Sequence, residues 1–165
     1  TEGRWVNGFA YIGVLIAMVL PLAAVLGIPT LKDSLILGAA VYAPLLLIGI
    51  GGFAGAIARY LVDGAIAERT AGAFPWGTLI VNLSGSFILG LLFALTAERA
   101  FLPAEIRGPV LIGFIGAYTT FSTYMLESWR LLEDGAIALA LANLVGSTVL
   151  GLIAVVAGLT LGRLL

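Results

Sequence analysis

The stretch Gly113-Phe114-Ile115-Gly116-Ala117-Tyr118-Thr119-Thr120-Phe121-Ser122-Thr123-Tyr124-Met125-Leu126-Glu127 decides how this chain is read. It lies in a mostly apolar run, residues 109–132, long enough to cross a bilayer, yet it carries two glycines, two adjacent threonines and a further Ser-Thr pair. Glycine costs conformational entropy in a helix and hydroxyls compete for backbone carbonyls, so a local break is expected. In lipid a break persists only when buried in protein or lining a cavity, where freed carbonyls can meet a cation and freed N–H groups an anion. The segment therefore predicts an interrupted transmembrane helix.

Composition agrees with a membrane setting. The 165 residues are 61% hydrophobic and only 10% charged, and the mean hydropathy is +1.15, too apolar for a water-soluble domain of this size. Cysteine and histidine are both absent, which removes thiol chemistry, imidazole bases and the zinc sites built from those ligands. A net charge of -1 without a basic run argues against nucleic acid as a partner, because phosphate recognition relies on clustered Lys and Arg.

A spanning helix needs about 20 mostly apolar residues. Five segments qualify: residues 8–28, 44–62, 77–96, 109–132 and 136–161. The first is as long as a spanning helix and no clear small-x-small cleavage site follows it, so it reads as a span rather than a signal peptide. Residues 34–42 are apolar but too short to span; Ser34 suits the cap of a short helix that either lies at the interface or runs on into the second span, and Pro44 suits the first position of a helix. The expected organisation is an extension, residues 1–44, with an additional transmembrane helix, followed by a four-helix domain, residues 45–165.

Positive charge normally marks cytoplasmic loops. With five spans, one side carries Arg4, Arg69 and Arg130, with Arg59 near a helix end, and the other carries Lys32, Arg99, Arg107 and Arg163. Such a balance gives almost no orientation bias. Insertion in both directions, and hence an antiparallel homodimer, is one reading; a fixed orientation set by other features is the other.

Gly51 and Gly55 have the small-xxx-small spacing that lets helices approach closely, and Arg59 follows one turn later. An arginine in lipid costs roughly 2.5–3.5 kcal/mol on insertion scales, so Arg59 either snorkels from a packing helix or serves a ligand. In the next span Asn82, Gly85 and Ser86 share one face, either as glue to a neighbouring helix or as an inward polar surface. Phe121 and Tyr124 share another face. Their electropositive ring edges can favour a small anion without the grip of a full charge, which conduction requires, while the bland alternative is helix packing. Asn143, Ser147 and Gly151 form a stripe on the last span that suits close packing or extends a polar path.

These blocks, Gly51-Gly52 with Gly55 and Arg59, Gly77-Thr78 with Asn82, Gly85 and Ser86, and Gly113-Phe114 with Gly116 and Thr119-Thr120-Phe121-Ser122-Thr123, resemble the Fluc (CrcB) family of fluoride channels over residues 45–163. The resemblance implies an all-α membrane protein, a four-helix subunit with a broken third channel helix, which works as an antiparallel, dual-topology homodimer in the cytoplasmic membrane. It implies a passive fluoride channel, not an enzyme, that lowers intracellular fluoride toxicity. Phe121 and Tyr124 would line the fluoride pathway with Asn82 as a donor, and Ser122, Thr123 and Glu127 would form a polar track. Backbone carbonyls of Gly116 and Thr119 would hold a structural sodium ion, and Arg59 would be a structural or vestibule residue. Tyr124 departs from the family's usual phenylalanine, so its hydroxyl either adds a donor to fluoride or alters the route. The N-terminal span is additional to the pattern.

Two other classes compete. A proton-coupled exporter of similar size and dual topology needs a titratable carboxylate in the membrane, for which Glu127 is the one deep candidate. A non-transporting assembly protein would use every polar group named above as helix glue. An enzyme is disfavoured, since no paired acids or nucleophile-base set appears.

Overall fold

The computed structural model describes residues 31–98 and 103–165, and every regular element among them is helical. The additional span expected at residues 8–28 lies outside the described residues. The chain divides into two units, Thr1–Ala43 and Pro44–Leu165, and the helix packing and cavities described below lie in the second.

Among the described residues, four helices are long and apolar enough to cross a membrane: Tyr42–Ala67, Trp76–Thr96, Glu105–Glu133 and Ile137–Leu164. The first belongs to α1 (Leu31–Ala67), and Pro44 lies inside that helix. Pro44 is thus not the first helical residue, and of the two readings of residues 34–42 the one in which they run on into the span is observed. Proline removes one backbone hydrogen bond, and membrane helices tolerate this because local adjustment and neighbouring groups satisfy the freed carbonyl. Helix α2 (Trp76–Phe93) runs into a π-wound turn, Ala94–Glu98. Helix α3, residues 104–118, is π-wound over Gly108–Ile115 and ends with the turn Gly116–Tyr118. Helix α4 (Phe121–Glu133) follows after two extended residues, and α5 (Ile137–Leu164) carries a π turn at Ala142–Gly146.

The α4–α5 reversal is encoded locally. Gly135 adopts φ +73°, its amide donates to the Leu132 carbonyl, and the Ala136 amide donates to the Leu131 carbonyl at 2.8 Å. This is a Schellman termination, which needs a left-handed residue and therefore favours glycine.

Small residues set the helix spacing. A Cβ on Gly55 would meet the Phe114 carbonyl, and a Cβ on Gly113 would stand 3.2 Å from the Gly52 amide, so α1 and α3 touch backbone to backbone. The Gly51 and Gly55 spacing therefore serves packing. Helices α2 and α5 meet in the same way, where a Cβ on Gly158 would collide with the Phe87 carbonyl and lie 2.8 Å from the Leu91 amide. Gly158→Val must push these backbones apart, and overpacking of this kind costs about 1–3 kcal/mol. A lowered thermal midpoint in detergent is the expected result; an unchanged midpoint would show that α2 and α5 can separate freely.

The buried apolar core is small, with Val81, Ala94, Ile115, Leu131 and Ala140 among its members, while many large apolar side chains on all four spans are exposed. Inside-out burial of this kind suits helices whose outer faces meet lipid or another subunit.

Candidate functional site

Helical geometry stops at Tyr118 and resumes at Phe121. Thr119 (ψ 157°) and Thr120 (φ -147°, ψ 119°) are extended. The reason is a local competition for hydrogen bonds. The Thr120 hydroxyl accepts from the Thr123 amide at 3.3 Å and so caps α4, while the Thr119 hydroxyl donates to the Ile115 carbonyl at 3.0 Å and closes α3.

Asn82, from α2, spans this break. Its Oδ1 accepts from the Thr120 amide at 2.8 Å, and its Nδ2 donates to the Thr120 carbonyl at 3.0 Å. The side-chain amide thus imitates the partner that a continuous helix would have supplied, and the two backbone bonds determine which end is oxygen. One N–H of Nδ2 is left for another acceptor. Gly85, one turn along, lets the break approach, since a Cβ there would strike Thr119 and stand 3.1 Å from the Tyr118 ring. Tyr118 is held in turn by its hydroxyl, 2.9 Å from that of Ser84.

Among the described residues, cavities lie on either side of Thr120. The larger, about 390 Å³, is lined by Asn82, Ser86, Phe121 and Tyr124 on one side and by Ser147, Thr148 and Gly151 of α5 on the other. Phe121 and Tyr124 form a tilted pair with ring centroids 5.8 Å apart. Phe121 is 73% exposed and Tyr124 only 8%. The Tyr124 hydroxyl donates to the Leu144 carbonyl at 2.8 Å.

The smaller cavity, about 200 Å³, is lined by Arg59, Tyr60, Asp63, Thr78, Thr120 and Thr123 among others. Thr120 therefore borders both. Beside this cavity the Thr78 hydroxyl donates to Glu127 Oε1 at 2.8 Å, and the buried Glu127 Oε2 has no partner among the described residues. Ser122 is exposed, with its hydroxyl 3.4 Å from that of Thr120.

The sequence-predicted residues are thus divided. Asn82, Phe121 and Tyr124 share the larger cavity; Arg59 and Thr123 share the smaller one, with Glu127 linked to it through Thr78. Gly116 and Thr119 have a distinct relation to the break. The amides that a regular helix would direct at their carbonyls, those of Thr120 and Thr123, are bonded to Asn82 Oδ1 and Thr120 Oγ1 instead. No cluster of three or more His, Cys, Asp or Glu exists among the described residues.

Sequence reasoning named Thr78 and Thr120 only within motif blocks, with no role of their own, and did not name Thr148. Thr78 was legible as the residue one turn before Asn82 on the same face of α2; Thr120 was hidden because its role comes from extended backbone.

Residues 46–159 match the family described as CrcB-like protein, Camphor Resistance (CrcB). The chain belongs to the CrcB-like family. Its CrcB-like relatives include the "Fluoride-specific ion channel FluC" of Magnetococcus marinus, 47% identical over 118 residues that cover 72% of this chain and 96% of that one. The protein of the same name from Solidesulfovibrio magneticus is 48% identical over 118 residues, 72% of this chain and 94% of the relative. A third, from Maridesulfovibrio salexigens, is 47% identical over 120 residues, 73% and 95% of the respective chains. The expected family is thus established. With four apolar spans, this CrcB-like chain is a multi-pass protein of the inner membrane.

Proposed function

We propose that the chain is a passive, fluoride-selective channel through which fluoride leaves the cell, and that it works as an antiparallel homodimer inserted in both orientations. The observation that carries this reading is the cleft beside the helix break, where the Asn82 amide, the hydroxyls of α5 and the rings of Phe121 and Tyr124 surround one space. Fluoride is small, strongly hydrated and a strong hydrogen-bond acceptor, so such donors can replace its water. Each hydrogen bond to a charged group contributes roughly 1.5–3 kcal/mol net, enough to draw the ion in and little enough to release it. The names of the relatives, each a fluoride-specific ion channel, support the choice of ion.

Dimerisation is supported by the exposed Phe121, which leaves the cleft open on one side, and by the balanced charges of the loops. Across a twofold axis the Gly116 and Thr119 carbonyls of two copies would supply four oxygens, a set suited to sodium. Held by those carbonyls, a sodium ion would supply positive charge beside the breaks. Around it, Asn82 keeps the break extended, and Thr123, Glu127 and Thr78 continue a polar track toward the Arg59 cavity.

Purified protein in liposomes tests the reading. Fluoride efflux is expected to be rapid, selective over chloride and indifferent to an imposed pH gradient. One observation favours a second reading, proton-coupled export: the partnerless buried Oε2 of Glu127. Efflux that requires a pH gradient and disappears in Glu127→Gln would replace the channel by an exporter, and no efflux at all would remove both.

A further inference from the structure

Two hydroxyls of the larger cleft converge on one backbone oxygen. Tyr124 donates to the Leu144 carbonyl at 2.8 Å, Thr148 donates to the same carbonyl at 2.7 Å, and the two hydroxyl oxygens are 3.3 Å apart. Both side chains line the cleft, and Leu144 lies in the π turn of α5.

A carbonyl has two lone pairs and can accept both bonds, but one is enough to keep it from being an orphaned acceptor. One hydroxyl is therefore surplus. The two are not equivalent. The Tyr124 ring is nearly buried and its bond crosses from α4 to α5, so its hydrogen cannot be redirected without loosening the contact between helices. Thr148 bonds back to the carbonyl one turn before it on its own helix, a weak local arrangement, and rotation about its Cβ–Oγ1 bond re-aims the hydrogen while every heavy atom stays in place.

We infer that Thr148 is a further anion-binding hydroxyl of this cleft and that Tyr124 releases it for that role. When an anion occupies the cleft, the Thr148 hydrogen turns toward it while Tyr124 alone keeps the Leu144 carbonyl satisfied. Without the Tyr124 hydroxyl the same rotation would strip the carbonyl of its side-chain donors, and Thr148 would be held back on it. Tyr124 is thus a positioning residue whose hydroxyl acts on the ion through Thr148. This inference rests on the channel reading.

The experiment compares fluoride efflux from liposomes for the full chain, Thr148→Val, Thr148→Ser, Tyr124→Phe and the double variant Tyr124→Phe/Thr148→Val. A lost hydrogen bond to an ion lowers efflux by about tenfold in Thr148→Val. Thr148→Ser keeps the hydroxyl and is expected to retain efflux within about twofold. Tyr124→Phe is expected to lose several-fold, and the double variant to be no slower than Thr148→Val, because both changes disable one hydroxyl. Undiminished efflux in Thr148→Val, equal losses in the serine and valine variants, or a double loss equal to the product of the single ones would each overturn the assignment. A full chain that passes no fluoride would overturn the channel reading itself.

Discussion

Asn82→Asp is expected to lower fluoride efflux from liposomes by at least about a hundredfold while the purified protein remains monodisperse. Aspartate has the same size and still accepts from the Thr120 amide, so the break keeps one of its two supports. It loses the donor to the Thr120 carbonyl, which leaves that acceptor short of a partner at a cost of about 1–3 kcal/mol. The larger effect is electrostatic. A carboxylate on the cleft wall opposes an anion about 4 Å away by roughly 4 kcal/mol at an effective dielectric constant near 20. Since about 1.4 kcal/mol is a factor of ten in occupancy, repulsion dominates and the pathway closes. Efflux within twofold of the parent protein would place the ion away from Asn82 and reduce the residue to a clamp on the backbone.

Phe121→Ile separates conduction from stability in the opposite way. The ring is 73% exposed and its contact with Tyr124 is a tilted pair at 5.8 Å. Exchanging so exposed a side chain changes the stability of the single subunit by no more than about 0.5 kcal/mol. The ring it removes borders the cleft and carries polarised C–H groups, for which isoleucine offers no equivalent. Efflux is therefore expected to fall by about tenfold or more in protein that still folds and purifies as the parent does. Preserved efflux with a clearly lowered midpoint would assign Phe121 to packing instead.

Asn82 was legible as a polar group facing inward, since asparagine among apolar residues in a span must find partners. That its partners are both backbone groups of Thr120 was not legible, because they become available only when the helix opens. The same bond explains why Gly116 loses its regular partner, so the clamp and the candidate cation donors are consequences of a single rearrangement. Tyr124 was read as a ring with either an extra donor to the ion or an altered route. Its hydroxyl instead meets Leu144, a residue with nothing in its side chain to mark it.

Arg59 and Glu127 illustrate the remaining gap. Both were visible as charges in or near apolar spans, yet only the packing of α2 brings Thr78 to Glu127 and Arg59 into the cavity bordered by Thr120. What the sequence determined by itself was local: apolar lengths that must span, glycines at close-approach spacing, and hydroxyls that outcompete helical hydrogen bonds at Thr119 and Thr120. The tertiary structure decided which lone groups meet. An opened backbone must find hydrogen-bond partners within the membrane, and those partners lie on other helices, at distances in sequence that no local pattern specifies.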